Sequence, residues 1–313
     1  MPDVILNLLP VREEEKAAFA AAAPQAIHWY AGRRTATPEQ FARATIVMGW
    51  PRAEMLSQAP HLRWFHCMWA GTDWYTGVLP PSVLLTSSAG TNSQSVAEHM
   101  LASLLSLYRK IPQCRDQQRD HAWVDVGNMK SLSGATVLVA GAGHVGSTFA
   151  QLCKALGAGC TIGLKRTVGG PVPGFDEVFP IEQTDQWLPQ ADVVALVLPH
   201  SPGTVHFMNR ERLALMKDDA VLLSAGRGTA LDQEALAQAM GAGKLWGAAL
   251  DVTEPEPLPA DSPLWDIPNL LITPHVAGGM RLEVTRKNCI DLALDNLRRY
   301  QSGEPLRNLV ARE

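Results

Sequence analysis

Three polar residues in the second half of the chain have the chemistry to reduce a carbonyl group. Arg227 lies in LLSAGRGTALDQEAL, Glu256 in LDVTEPEPLP and His275 in LLITPHVAGG. Histidine is the usual proton donor near neutral pH, and a carboxylate against its other ring nitrogen fixes the tautomer. An arginine can grip a substrate carboxylate and polarise the carbonyl beside it. Each residue alone is weak evidence, since a lone histidine after a strand is more often structural than catalytic, so the prediction depends on what accompanies them.

A glycine-rich loop upstream of these residues predicts a source of hydride. Gly141, Gly143 and Gly146 fit the pattern G-x-G-x-x-G, after the strand-like run TVLVA and before a helical pattern. The first glycine allows a tight turn, the second lets backbone N–H groups approach a pyrophosphate, and the third lets helix pack on strand. His144 and Val145 open the helix, whose N-terminus carries partial positive charge. A glycine turn without a ligand is the alternative, and the strand–helix context disfavours it.

Two cations stand where a dinucleotide-binding unit normally carries an acid. That acid binds the ribose 2′-hydroxyl about 20 residues after the glycines, at the end of the second strand. Here the position holds Lys165, followed by Arg166, in TIGLKRT. An acid would repel a 2′-phosphate, whereas these cations would attract one, and arginine can bind it bidentately. The sequence therefore predicts NADPH/NADP, with NADH as a weaker alternative; a solvated strand end is the competing interpretation.

Composition narrows the class of protein. The 313 residues suggest about two domains, and a net charge of −4 argues against a nucleic-acid partner. The five cysteines form no CxxC pair, so we expect neither a disulfide framework nor a metal site. The first residues lack a basic leader, and the apolar run VAEHMLASLLSLY is short and broken by Glu98 and His99. We expect a cytoplasmic protein with no membrane partner.

The residues above must be positioned by alternating strands and helices. In the first block, strands are predicted at 4–9, 26–31, 45–50, 62–67 and 83–88, with helices at 12–23, 38–44 and 53–59. A long helix is predicted from Ser93 to Gln118. In the second block, strands are predicted at 136–140, 160–164, 192–198, 220–224, 247–251 and 270–273, and a last helix covers 281–301. This alternation predicts parallel sheets covered on both faces, with the polar motifs at strand ends, where such sheets bind ligands.

Together these motifs resemble the D-isomer-specific 2-hydroxyacid dehydrogenase family over nearly the whole chain, and most closely its NADPH-dependent glyoxylate/hydroxypyruvate reductases. GAGHVG matches the cofactor loop of that family, and SAGRGTALDQEAL, DVTEPEPLP and TPHVAG match its catalytic motifs. The resemblance implies that Arg227 orients the substrate, that Glu256 partners the histidine, and that His275 is the acid/base.

The resemblance also implies further contacts with the cofactor and the substrate. LPHSPGTVHFMN resembles the loop that passes under the cofactor in this family. The aspartate of DVTEP matches a family aspartate that faces the nicotinamide amide. WAGTDW resembles a loop whose backbone N–H groups hold the substrate carboxylate. The implied cofactor contacts are Leu198, Pro199, Thr204, Ala225 and Asp251. The implied substrate contacts are Trp69, Ala70 and Gly71, with Arg227 and His275.

Fold and assembly follow from the same resemblance. It implies two Rossmann-like/flavodoxin-like doubly wound parallel-sheet domains with a cleft between them. The substrate-binding domain would be discontinuous and consist of residues 1–95 and 285–313. The NADP-binding Rossmann domain would consist of residues 96–284. A homodimer is usual in the family.

The chain departs from the family pattern where the substrate would bind. Trp69 is bulkier than the small residue usual there, and Trp74 follows closely. We expect NADPH-dependent reduction of a small 2-oxoacid, glyoxylate or hydroxypyruvate, to the D-2-hydroxyacid, with His275 as proton donor. One alternative is a reductase of a larger, phenylpyruvate-like 2-oxoacid. The other is a non-catalytic, nucleotide-sensing binding protein of the same fold.

Overall fold

The computed structural model describes residues 2–280 and 282–312. The chain divides into two compact units. Unit 1 contains the residues up to Asn92 and those from Met280 onward, and unit 2 is Ser93–Gly279. None of the helices in the described ranges is long and apolar enough to cross a membrane.

Unit 1 is a five-stranded parallel sheet with helices around it. The strands are β1 (Val4–Asn7), β2 (Ile27–Tyr30), β3 (Ile46–Gly49), β4 (Trp64–Cys67) and β5 (Leu84–Thr86), in the order β2-β1-β3-β4-β5. The helices are α1 (Glu13–Ala22), α2 (Pro38–Arg43), α3 (Ala53–Leu56), α4 (Asp73–Thr76) and the last helix (Glu283–Ser302). All strand pairs are parallel.

The central strands of unit 1 are continuous apolar runs because both faces of the sheet are covered. Every residue of β1, β3 and β4 is buried. On one face Phe19 of α1 packs with Cys289, Ile290 and Leu297 of the last helix. Residues distant in sequence therefore share one core.

Unit 2 is a seven-stranded parallel sheet. The strands are β6 (Thr136–Ala140), β7 (Cys160–Lys165), β8 (Glu177–Pro180), β9 (Val193–Leu196), β10 (Val221–Ser224), β11 (Gly247–Leu250) and β12 (Leu270–Ile272), in the order β12-β11-β10-β9-β6-β7-β8. The helices are α5 (Ser93–Tyr108), α6 (Ile111–Arg119), α7 (His144–Ala155), α8 (Thr184–Trp187), α9 (Arg210–Leu215) and α10 (Gln233–Gly241). Short 3₁₀ turns cover Ile181–Gln183, Leu188–Gln190, Gly228–Ala230 and Pro263–Asp266.

The strand order of unit 2 reverses beside β6, which pairs with β7 on one side and β9 on the other. Ligands of open α/β sheets bind outside the carboxyl ends of the strands at such a reversal. The glycine loop leaves β6 at this point. The predicted fold class, two parallel-sheet α/β domains, is confirmed.

One predicted element is wrong, and one strand was not predicted. The helix expected from Ser93 to Gln118 is two helices, because Lys110 adopts a left-handed conformation (φ 53°) and Pro112 lies in the first turn of α6. A proline ring clashes with the carbonyl four residues earlier, so it starts a helix more readily than it continues one. The strand β8 was not predicted, because EVFP is only half-buried at the edge of the sheet.

Candidate active site

The glycine loop is shaped by close backbone approach between β6 and α7. Gly141 has φ +112°, a conformation that other residues rarely adopt, and its N–H donates to the Leu164 carbonyl. A Cβ on Gly146 would lie 2.2 Å from the Gly141 carbonyl oxygen. Helix and strand can therefore meet only if position 146 carries no side chain.

The N-terminus of α7 has the properties of an anion site. Gly143 is its N-cap, and among the residues that the structure describes no side chain accepts a hydrogen bond from the first turn. A Cβ built on Gly143 would meet nothing within 4 Å. His144 is exposed and Val145 is half-buried. Their backbone N–H groups belong to the first turn, for which the helix supplies no acceptors. Free donors at a helix N-terminus fit a pyrophosphate.

The two cations of TIGLKRT lie at the end of β7, next to β6 in the sheet. Lys165 is the last residue of the strand and is half-buried, and Arg166 is exposed. Within residues 2–280 and 282–312, neither forms an ion pair. Their charge is therefore not neutralised by a neighbouring carboxylate, which suits a phosphate ligand.

His275 and Glu256 form a hydrogen-bonded pair. The ring Nδ1 lies 2.8 Å from Glu256 Oε2, and Glu256 Oε1 accepts from the Thr253 N–H at 3.2 Å. His275 has φ +50°, and its N–H donates to the carbonyls of Asp251 and Thr273. A non-glycine residue held in this region is strained, and such strain clusters at functional sites. With Nδ1 engaged, Nε2 is the ring atom left to exchange a proton.

Arg227 is held between two loops that follow neighbouring strands. A Cβ on Gly228 would lie 2.0 Å from the Thr253 carbonyl oxygen, and one on Gly226 would lie 2.4 Å from that of Leu198. The arginine is half-buried, and its guanidinium donates to the Gly226 carbonyl at 3.0 Å. The flanking glycines therefore press the arginine segment against the backbones that follow β9 and β11.

Asp251 fastens the histidine loop to the end of β11. Its carboxylate, 5% exposed, accepts hydrogen bonds from the Thr273 hydroxyl at 2.6 Å and from the N–H groups of Val276 and Ala277 at 3.0 Å. The resemblance assigns Asp251 to the cofactor. The contacts seen here show a second task, which is to fix the backbone on both sides of His275.

Sequence reasoning missed two residues of this network, Thr273 and His99. Thr273 Oγ1 lies 3.0 Å from His99 Nε2, which is 3.8 Å from Asp251 Oδ1. His99 stands on α5, far along the chain, and no pattern in the sequence links it to the site. Thr273 could have been noticed, because it directly follows β12 and lies two residues before His275.

The other predicted cofactor contacts differ in exposure. Leu198 is 4% exposed and packs in the core, so its side chain is not available at the surface. Pro199 is exposed, and its carbonyl accepts from the Thr204 hydroxyl at 2.7 Å, which closes the loop. Ala225 is half-buried, and its N–H donates to the Leu196 carbonyl.

The predicted substrate loop follows β4 in unit 1. Ala70 is exposed and Gly71 half-buried. Trp69 is half-buried and packs edge-on against Trp50, with ring centroids 5.4 Å apart. Trp74 is 61% exposed and lies 6.3 Å from Trp50. Trp69 therefore packs on Trp50 with part of its surface still exposed, while Trp74 presents a larger apolar surface.

Comparisons with known proteins identify the family. The model "D-isomer specific 2-hydroxyacid dehydrogenase, NAD binding domain" matches residues 101–277. The chain belongs to this family. The predicted family, a family of oxidoreductases, is thereby confirmed.

Related dehydrogenases match most of the chain. Glyoxylate/hydroxypyruvate reductase B of Yersinia pestis is 30% identical over 265 residues, which are 82% of this chain and 80% of that protein. A crystal structure of a family protein from Aeromonas salmonicida is 31% identical, with a TM-score of 0.87 and 99% of both chains covered. An NADPH-dependent glyoxylate/hydroxypyruvate reductase from Sinorhizobium meliloti, crystallised with NADP and sulfate, is 26% identical, with a TM-score of 0.81 and 98% of both chains covered.

Proposed function

We propose that this dehydrogenase reduces a small 2-oxoacid, glyoxylate or hydroxypyruvate, to the D-2-hydroxyacid with NADPH. The observation that carries the proposal is the His275–Glu256 pair, with 2.8 Å between Nδ1 and Oε2, in the unit that holds the dinucleotide loop. The named activities of the Yersinia pestis and Sinorhizobium meliloti relatives support the substrate class.

Each site residue has a separate role in the proposed reaction. Bound NADPH supplies the hydride. His275 gives a proton from Nε2 to the carbonyl oxygen, and Glu256 holds the ring by Nδ1 and stabilises the imidazolium before transfer. Arg227 binds the substrate carboxylate and polarises the carbonyl beside it. The resemblance of WAGTDW to the substrate loop of the family assigns the N–H groups of Ala70 and Gly71 to a substrate carboxylate.

The residues of the dinucleotide loop fit the cofactor. The pyrophosphate would bind the free N–H groups at the start of α7, around Gly143, and the adenosine 2′-phosphate would bind Lys165 and Arg166. We assign residues 96–284 to NADP binding and residues 1–95 with 285–313 to substrate binding. We further propose a cytoplasmic homodimer.

A second candidate, a larger phenylpyruvate-like 2-oxoacid, is favoured by one observation. Trp50, Trp69 and Trp74 form an aromatic cluster at the loop that carries Ala70, and the Arg33 guanidinium stacks on Trp50 at 3.7 Å. An exposed aromatic side chain such as Trp74 would offer an apolar contact to an aromatic substrate.

A panel of 2-oxoacids measured with NADPH and with NADH separates the two candidates. We expect kcat/KM to be highest for glyoxylate or hydroxypyruvate with NADPH. A higher kcat/KM for phenylpyruvate would favour the second candidate. Absence of NADPH oxidation with every 2-oxoacid would contradict both.

Replacing Asp251 with asparagine is expected to lower kcat about 10- to 100-fold. The N–H groups of Val276 and Ala277 bind different oxygens of Asp251, and the amide nitrogen that replaces one oxygen cannot accept a hydrogen bond. The backbone around His275 therefore shifts, and small misplacements of a catalytic group are costly. Steady-state kinetics measure the effect. Asp261→Asn, an exposed position of the same unit, is the control. An unchanged kcat in Asp251→Asn would show that the loop is held by other contacts.

A further inference from the structure

The turn that carries Ala70 and Gly71 is held from inside unit 1 through its carbonyl groups. The Cys67 carbonyl accepts from the Ser88 hydroxyl at 2.9 Å, and the Trp69 carbonyl accepts from the Ser88 N–H at 3.0 Å. Between them, the Met68 carbonyl accepts from the Cys289 thiol at 3.6 Å. Ser88 therefore contacts the turn twice, once through its backbone and once through its side chain.

The hydrogen bond to the Trp69 carbonyl fixes the direction of the Ala70 N–H group. In a trans peptide unit the carbonyl and the N–H point in opposite directions. Because the Trp69 carbonyl points to Ser88, the Ala70 N–H points away from the core. In the part of the chain that the structure describes, neither Ala70 N–H nor Gly71 N–H donates a hydrogen bond to a protein acceptor. These are free donors at an accessible turn, as an incoming carboxylate requires.

A buried chain of hydrogen bonds fixes the Ser88 hydroxyl. Trp64 Nε1 donates to Thr86 Oγ1 at 2.9 Å, and Thr86 Oγ1 lies 2.8 Å from His66 Nδ1. On the other side of the ring, His66 Nε2 lies 3.3 Å from Ser88 Oγ. Trp64, His66, Thr86 and Ser88 are all fully buried.

The donor inventory of this chain gives it one direction. A carbonyl only accepts, so the Ser88 hydroxyl donates to the Cys67 carbonyl, and Ser88 Oγ accepts from His66 Nε2–H. The neutral ring then leaves Nδ1 as the acceptor for the Thr86 hydroxyl, whose oxygen accepts from the Trp64 indole N–H. Burial lowers the pKa of His66 to about 4, so the ring is neutral near pH 7 and keeps one donor and one acceptor nitrogen.

We infer that Ser88 is a positioning residue for substrate, supported by His66 and Cys289: it holds the 67–69 carbonyl groups inward so that the Ala70 N–H, next to that of Gly71, faces the substrate carboxylate. The inference rests on the proposed function. It assigns a role in substrate affinity to side chains that are buried inside unit 1.

The test compares Ser88→Ala with Ser88→Cys, which keeps a weaker donor, and with Thr184→Ala as control. Thr184 is a buried threonine of unit 2 whose hydroxyl likewise donates to a backbone carbonyl, that of Ile181. In Ser88→Ala the backbone N–H still holds Trp69, so the turn loosens without being lost. The probes are glyoxylate as substrate and oxalate as a non-reacting carboxylate inhibitor.

For Ser88→Ala we expect the KM for glyoxylate and the inhibition constant for oxalate to rise about five- to tenfold, the scale of one lost hydrogen bond. The kcat and the KM for NADPH should change less than about twofold on the same scale. Ser88→Cys should restore part of the affinity for glyoxylate and oxalate, and Thr184→Ala should leave both constants unchanged. A second variant, Cys289→Ala, should raise the same two constants by a smaller factor.

Two results would overturn the inference. One is an unchanged KM for glyoxylate and an unchanged oxalate constant in Ser88→Ala. The other is a general loss in which kcat and NADPH binding fall together, which indicates misfolding and not positioning. If the unmodified enzyme reduces no 2-oxoacid, the proposed function fails. The role of Ser88 is then tested by calorimetric titration of oxalate into the NADPH-loaded unmodified and Ser88→Ala proteins. Weaker oxalate binding in Ser88→Ala supports the inference, and equal or absent binding to both proteins contradicts it.

Discussion

Replacing His275 with alanine is expected to lower kcat for 2-oxoacid reduction by about 10²–10⁴-fold, the usual contribution of a positioned general acid. NADPH affinity should stay within about twofold, because the dinucleotide loop is built from the β6–α7 junction and not from the histidine loop. Steady-state kinetics and NADPH fluorescence titration measure the two quantities. Loss of kcat with retained affinity would place His275 in the chemical step.

A matched control separates chemistry from backbone strain. His121 is also an exposed histidine of unit 2 with a positive φ, 54° against 50° for His275. His121→Ala therefore removes an imidazole from the same kind of backbone position, without a carboxylate partner in the described chain. We expect His121→Ala to keep normal turnover. Near-normal turnover in His275→Ala would contradict its assignment as proton donor.

Replacing Lys165 with aspartate and Arg166 with serine is expected to lower the ratio of kcat/KM for NADPH to that for NADH by about 100-fold or more. Two charge-assisted contacts to the 2′-phosphate would be lost, at about 1.5–3 kcal/mol each, and an acid would take the position that binds a ribose hydroxyl. Parallel kinetics with both cofactors measure the ratio.

The control for this change is Arg115→Asp, at an exposed arginine of α6 without an ion pair in the described residues. It alters the net charge of unit 2 without touching the end of β7. The ratio should stay at its original value in this variant. An unchanged ratio in the Lys165/Arg166 variant would mean that other residues bind the 2′-phosphate, or that NADPH is not preferred.

Sequence patterns predicted the structure correctly where a single segment determines both the backbone conformation and the chemical groups it presents. The run TVLVAGAGHVG predicts a strand, a tight turn and a helix start, and the structure has β6, Gly141 with a positive φ and α7 in that order. Buried parallel strands read as apolar runs for the same local reason. Pro112 indicates a helix start near residue 111, but the helical periodicity continues on both sides of it, so one long helix was predicted.

Contacts between distant segments could not be predicted from periodicity. Asp251 was expected to face the cofactor, but its hydrogen bonds to Val276 and Ala277 depend on how two loops meet after their strands. The Cys289 thiol reaches the Met68 carbonyl across 221 residues of sequence. The short edge strand β8 was missed because its residues are half-buried, so neither alternation nor a continuous apolar run marks it.

The most direct test of the proposed function follows the hydride itself. The enzyme is given hydroxypyruvate and NADPH deuterated at the transferring position of nicotinamide C4, and the product is analysed by mass spectrometry and chiral chromatography. We predict D-glycerate with one deuterium at C2, formed by the unmodified enzyme and at a rate lower by about 10²–10⁴-fold in His275→Ala. Glycerate of the L configuration, or no labelled product from hydroxypyruvate, glyoxylate or phenylpyruvate, would contradict the account.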